Sequence, residues 1–120
     1  MKILIAEDDE LILKTIEHKL LNEGFEVLLT RDGKDAIEKI KEHQPDLVIS
    51  DIMMPFASGI EILTEIQEME EIPIFIVLSS MGQEDVIEDA FVLGASDYMI
   101  KPFNPNELVL RVKRLLRIKK

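Results

Sequence analysis

Apolar and polar positions alternate along this chain on two length scales. Five short runs, residues 2–6, 26–30, 47–50, 74–78 and 97–100, predict strands. The first, third and fourth are nearly continuous in Ile, Leu and Val, as strands covered on both faces are. Between and after them, apolar residues recur every three to four positions. These sets are Leu13, Ile16, Leu20 and Leu21; Ala36, Ile37 and Ile40; Ile62, Leu63, Ile66 and Met69; Val86, Ile87, Ala90 and Phe91; and Leu108, Val112, Leu115 and Leu116. That spacing predicts five amphipathic helices. Gly24 and Gly94 stand where a left-handed helix cap needs a residue without Cβ. Asn104, Pro105 and Glu107 read as an N-cap, a first-turn proline and a capping-box acid. Asp32-Gly33 and Pro45-Asp46 read as turns.

Strict β-α alternation predicts an α/β fold, a parallel sheet covered on both faces, in a single domain over residues 1–120. Open sheets of this kind bind ligands beyond the carboxyl ends of their strands. The residues just after each strand therefore carry the functional question. Glu7, Asp8, Asp9 and Glu10 follow strand one, Asp51 follows strand three, Ser79 and Ser80 follow strand four, and Lys101-Pro102 follows strand five. Each group alone has an ordinary explanation: acids suit a helix N-terminus, and Asp or Lys-Pro suits a loop. Packing does not account for the whole set meeting at one edge.

Charge sharpens this picture. Two like charges ~4 Å apart repel by roughly 4 kcal/mol at an effective dielectric of ~20. A cluster of carboxylates therefore calls for a cation, and hard oxygen donors suit Mg²⁺. Held by Asp8 or Asp9 together with Asp51, that ion would also attract a phosphoryl group which the acids alone repel. Lys101 and Ser79 could then contact phosphoryl oxygens, leaving Asp51 as the nucleophile.

Composition narrows the alternatives. With 14 Lys+Arg against 24 Asp+Glu, the 120 residues carry a formal charge of −10, which argues against direct nucleic-acid binding. The absence of cysteine excludes disulfides, Cys zinc sites and thiol nucleophiles. No apolar run approaches a membrane span, and Met1-Lys2 leads straight into a strand, so a cytoplasmic protein without a membrane segment is expected.

Taken together and in order, the motifs are specific. They are Glu7-Asp8-Asp9, Ser50-Asp51-Ile52-Met53-Met54-Pro55 with Gly59, Leu78-Ser79-Ser80, and Gly94-Ala95-Ser96-Asp97-Tyr98 running on to Lys101-Pro102-Phe103. Over essentially its whole length the chain resembles the CheY-like receiver domain of bacterial response regulators. The resemblance implies a flavodoxin-like sheet of order 2-1-3-4-5, doubly wound with five helices. It implies that a sensor histidine kinase passes a phosphoryl group from its phosphohistidine to Asp51 in a Mg²⁺-dependent step, with Mn²⁺ as a substitute ion. Asp9, Asp51 and the backbone carbonyl of Met53 would hold the metal, and Asp8 would act through a bound water. Lys101 would pair with the phosphoryl group, and the Lys101–Pro102 bond would be cis. Ser79 would swing toward it and let Tyr98 turn inward, switching the surface of helix four, strand five and helix five. The domain would catalyse its own phosphorylation and slow dephosphorylation, and would turn over no external substrate. Its output would pass to an effector protein or an attached output domain, with transcription the expected end point and a phosphorylation-dependent homodimer among the implied partners.

Two departures qualify the resemblance. Where DNA-binding relatives carry paired acids used across a dimer, this chain has Val92 and Ser96, while Asp97, Glu107 and Arg111 match; a dimer on this face would use other contacts. The positions two after the acceptor and two after the hydroxyl are Met53 and Met81, which orient water poorly, so slow self-dephosphorylation is expected. An aspartyl phosphatase of the haloacid dehalogenase kind needs an Asp at position 53. A flavodoxin-like cofactor carrier would find its phosphate repelled by Glu7, Asp8, Asp9 and Glu10. His18 and His43 read as solvated surface, Met54, Met69 and Met99 as loop and core packing, the acids at 68–71 as a solvated helix end, and the basic tail from Arg111 to Lys120 as charge suited to a helix C-terminus.

Overall fold

The computed structural model describes residues 1–54 and 56–119; Pro55 of the Asp51 motif and Lys120 of the basic tail lie outside the described residues. Five strands, β1 (Lys2–Ala6), β2 (Glu26–Thr30), β3 (Leu47–Asp51), β4 (Ile74–Ser79) and β5 (Asp97–Ile100), alternate with five helices. These are α1 (Glu10–Asn22), α2 (Gly33–His43), α3 (Gly59–Ile66), α4 (Glu84–Val92) and α5 (Pro105–Lys119). All strand pairs are parallel, in the order β2-β1-β3-β4-β5. The strands that read as continuous apolar runs are the ones buried on both faces. Ile3 and Ile5 of β1 join Leu13, Ile16, Leu20, Leu108 and Val112 in the core under α1 and α5. Leu4 and Ala6 point the other way, to Ala36, Ile40, Ile62, Leu63 and Ile66 under α2, α3 and α4. This alternation along single strands is why neither face could show a polar stripe in sequence.

Local chemistry fixes the helix ends. Gly24 and Gly94 adopt φ of 88° and 111°, as the cap reading requires. The Asn104 side chain accepts from the Asn106 N–H at 2.9 Å, in the N-cap manner. Glu107, however, does not complete a capping box: its carboxylate pairs with Arg111 one turn on, at 3.0 Å. The complete capping box lies on α3 instead, between Ser58 and Glu61. Asp32-Gly33 is a helix start and not a free turn, since Asp32 Oδ1 accepts from the Asp35 N–H at 2.8 Å. Gly33 is required there for space: a Cβ would fall 1.9 Å from the Ala57 carbonyl oxygen in the loop after β3.

Two further expectations are corrected. Helix α3 stops at Ile66, leaving Met69 and the acids at 68–71 in the turn beyond it. Acids at a helix C-terminus oppose the macrodipole, and no glycine cap follows. Leu21 and Phe91 belong to the right periodic sets, yet both are exposed.

Candidate functional site

Strand order reverses between β1 and β3, and the crevice at their carboxyl ends is where such sheets bind ligands. Register decides what meets there. Ala6 pairs with Ser50, so Glu7 and Asp51 follow side by side; Ser79 pairs with Ile100, so Lys101 emerges next to Ser79. Asp51 and Ser79 are the last residues of β3 and β4, one position earlier than a loop placement would have them. Being part of the ladder holds them rigidly.

The acids after β1 divide into two roles. Carboxylate oxygens of Glu7, Asp8 and Asp51 all lie within 4.8 Å of one another. Asp9, expected among the metal ligands, is placed elsewhere. Its Oδ1 accepts from the Leu11 and Ile12 N–H groups at 3.0 and 3.2 Å, capping α1, and its own N–H donates to Glu7 Oε2 at 3.1 Å. The unfilled N–H groups of a helix start are strong claimants for the nearest acid. The acid pair beside Asp51 is therefore Glu7 and Asp8, one residue earlier in the chain than the expected Asp8 and Asp9. The signal for Glu7 was available: it follows the last strand residue directly, as Lys101 does.

Lys101 ties the cluster together. Its Nζ lies 2.9 Å from Asp51 Oδ2 and 2.7 Å from Glu7 Oε1. Burial pushes the Glu7 carboxyl up to about 7; Lys101 and the Asp9 N–H pull it down, while the Asp51 charge adds to the rise. Burial lowers the Lys101 ammonium, but its hydrogen bonds to Glu7 and Asp51 outweigh that and hold it above the ordinary lysine range. The Asp51 carboxylate is further fixed by the Met53 N–H at 3.3 Å. Ser79 is fully buried, and its hydroxyl has no hydrogen-bond partner among the described residues. A buried unpaired hydroxyl costs about 1–3 kcal/mol, so it calls for an acceptor in another state.

Comparison with known proteins agrees with this geometry. The family model for the response regulator receiver domain matches residues 3–113. The chain belongs to the response regulator receiver domain family. Response regulator RR06 of Streptococcus pneumoniae is 41% identical over 117 residues, which cover 98% of this receiver and 54% of that protein. The receiver thus spans about half the length of that relative. Among solved structures, the receiver domain of Francisella response regulator 1452 aligns with a TM-score of 0.91 at 31% identity, covering 99% of this chain and 98% of that one. The chemotaxis response regulator CheY4 of Vibrio cholerae aligns with a TM-score of 0.87 at 27% identity, covering 94% and 96%. This is a CheY-like receiver of two-component signalling, and receivers of this family bind Mg²⁺ through an acidic pocket.

The rest of the receiver's surface also sorts. The Lys101–Pro102 bond is cis. Tyr98 is 37% exposed, and its carbonyl accepts from Arg111 Nη1 at 3.1 Å. Arg111 also pairs with Asp97 at 2.9 Å, and Val92, the last residue of α4, is 86% exposed. Beside the acid cluster, Leu11, Ile12, Thr15, Pro102, Phe103 and the stem of Lys101 line an apolar groove of about 360 Å³. His18 contacts Asn22 at the surface, Met99 is core, and Met53 and Met81 are exposed. Among the described residues, no helix is long and apolar enough to cross a membrane.

Proposed function

We propose that Asp51 accepts a phosphoryl group from the phosphohistidine of a sensor histidine kinase and that the gain switches the surface of α4, β5 and α5. The observation that carries this reading is one ammonium shared between Asp51 and a buried Glu7. An acceptor carboxylate needs a neighbouring cation that can transfer its contact to the incoming phosphoryl oxygens. The P–N bond of the donor breaks as a P–O bond forms at Asp51, and the electron pair leaves with the imidazole.

The donor set fits Mg²⁺: three hard carboxylates within reach of one another, two of them buried. Asp8, in the direct role expected of Asp9, would hold the ion with Asp51 and the backbone carbonyl of Met53, and Glu7 would take the outer position expected of Asp8. When bound, the ion neutralises the carboxylates and polarises the phosphoryl oxygens. Lys101 stabilises charge on the transferred group, and Ser79 donates its unpaired hydroxyl to it. Ser79's rotation then frees the space into which Tyr98 turns. The groove along α1, continuous with Lys101, suits the apolar face of a docked kinase. Output passes to an effector or an attached output domain, and transcription is the end point we favour.

The test is intact-mass measurement after incubation with Mg²⁺ and acetyl phosphate. One phosphoryl group is expected on the wild type, none on Asp51→Asn, and little with metal chelated. Incorporation into Asp51→Asn at the wild-type rate overturns the assignment. Slow decay of the phosphoprotein is a second expectation, because the exposed Met53 and Met81 side chains offer an attacking water no hydrogen bond. Met53→Asn should speed decay at least several-fold in a phosphate-release assay; an unchanged rate counts against this role.

A further inference from the structure

Tyr98 and Phe91 meet edge to face, with ring centroids 5.7 Å apart and planes at 85°. This is the arrangement that the ring quadrupoles favour. Phe91 shares the periodic set of Ile87 and Ala90, which are buried, yet it is 42% exposed at the outer side of α4. Its ring therefore contributes little to the core and lies against the Tyr98 phenol. The Tyr98 backbone is fixed independently. It pairs with Val77 in the sheet, and its carbonyl is held by Arg111, which Asp97 anchors in turn. With the main chain pinned, the ring moves by side-chain rotation, and its position is set by what the ring touches. Among the described residues its aromatic partner is Phe91.

We propose that Phe91 is a positioning residue that latches Tyr98 in its outward, resting orientation. The inference rests on the Tyr98 switch described under Proposed function and adds what opposes it. A contact present with the ring outward and lost with it inward biases the two-state equilibrium toward rest. By linkage, removing that contact must strengthen binding of any ligand that favours the inward state. Beryllofluoride, which stands in for the phosphoryl group on an aspartate, is such a ligand.

The chain has one tyrosine and no tryptophan, so a ¹³C-tyrosine label reports Tyr98 alone. The experiment is an NMR titration of the labelled protein with beryllofluoride in excess Mg²⁺. In wild type the Tyr98 ring signal is expected to move on saturation. In Phe91→Leu the resting signal should already lie part-way to the saturated position. The midpoint should fall roughly 2- to 10-fold, the Boltzmann weight of an aromatic pair worth about 0.5–1.4 kcal/mol. Phe91→Trp, which restores an aromatic edge, should return the midpoint toward wild type. A merely structural role for Phe91 would move neither the resting signal nor the rescue. If the wild-type signal moves and Phe91→Leu titrates identically, the latch is overturned and the switch stands. If the wild-type signal stays fixed at saturation, the switch fails and the latch falls with it.

Discussion

Metal-free protein should lose about 3 kcal/mol of folding stability as pH rises from about 4.5 to about 7, and Glu7→Gln should abolish that loss. Burial is the leading cause, since it raises the Glu7 carboxyl from its ordinary 4.5 to about 7. Between those values the folded protein holds a proton that the unfolded chain has released. Stability therefore falls with rising pH across that window, opposite to the trend of a salt-bridged carboxylate. The contribution is fully present below about 4.5 and gone above about 7. Urea unfolding of both proteins in chelator across this range isolates the effect, because every other carboxylate is common to the two. The difference between them should grow with pH in favour of Glu7→Gln. Parallel stability profiles would mean that Lys101 fully compensates the buried charge.

The fold was more legible than the roles of individual acids. Strands β1, β2 and β5 start and end with their predicted runs, whereas the more deeply buried β3 and β4 each extend one residue further, into Asp51 and Ser79, because burial and the ladder continue past the last apolar side chain. Hydrophobic period failed at Phe91 and Leu21, where a residue on the edge of the apolar stripe can face either core or solvent. Composition could not decide between Asp9 and Glu7. Both follow β1 within three residues, and the choice depends on which carboxylate the first turn of α1 captures. That is a matter of where the helix starts, the least certain feature of any periodic pattern. A similar contest reassigned Glu107, where an arginine one turn away outcompeted the N-cap backbone. The convergence of Asp51, Ser79 and Lys101 on one edge was legible because each sits where a strand ends, and sheet register does the rest.

Glu7 and Asp51 are held near each other by a single positive charge, so the ammonium that stabilises the resting cluster must also compete with an incoming cation. Lys101→Met separates these two effects by sign. Its Nζ stands within 3 Å of both carboxylates, where opposite unit charges attract by roughly 6 kcal/mol at an effective dielectric of ~20. Removing it leaves Glu7 and Asp51 facing each other. Glu7 responds in part by keeping its proton to higher pH, and a divalent ion gains the rest. Magnesium should bind about tenfold more tightly above neutral pH, as read by calorimetric titration, because no ammonium has to be displaced. Phosphoryl transfer from acetyl phosphate should nevertheless slow by about 10²–10³-fold, the usual cost of losing one charged donor at a developing anion. A passive scaffold lysine would lower both quantities together through loss of folded protein. Tighter metal binding with failed transfer requires that the same ammonium face the carboxylates at rest and the phosphoryl group during reaction, and transfer within a few-fold of wild type would remove Lys101 from the chemistry.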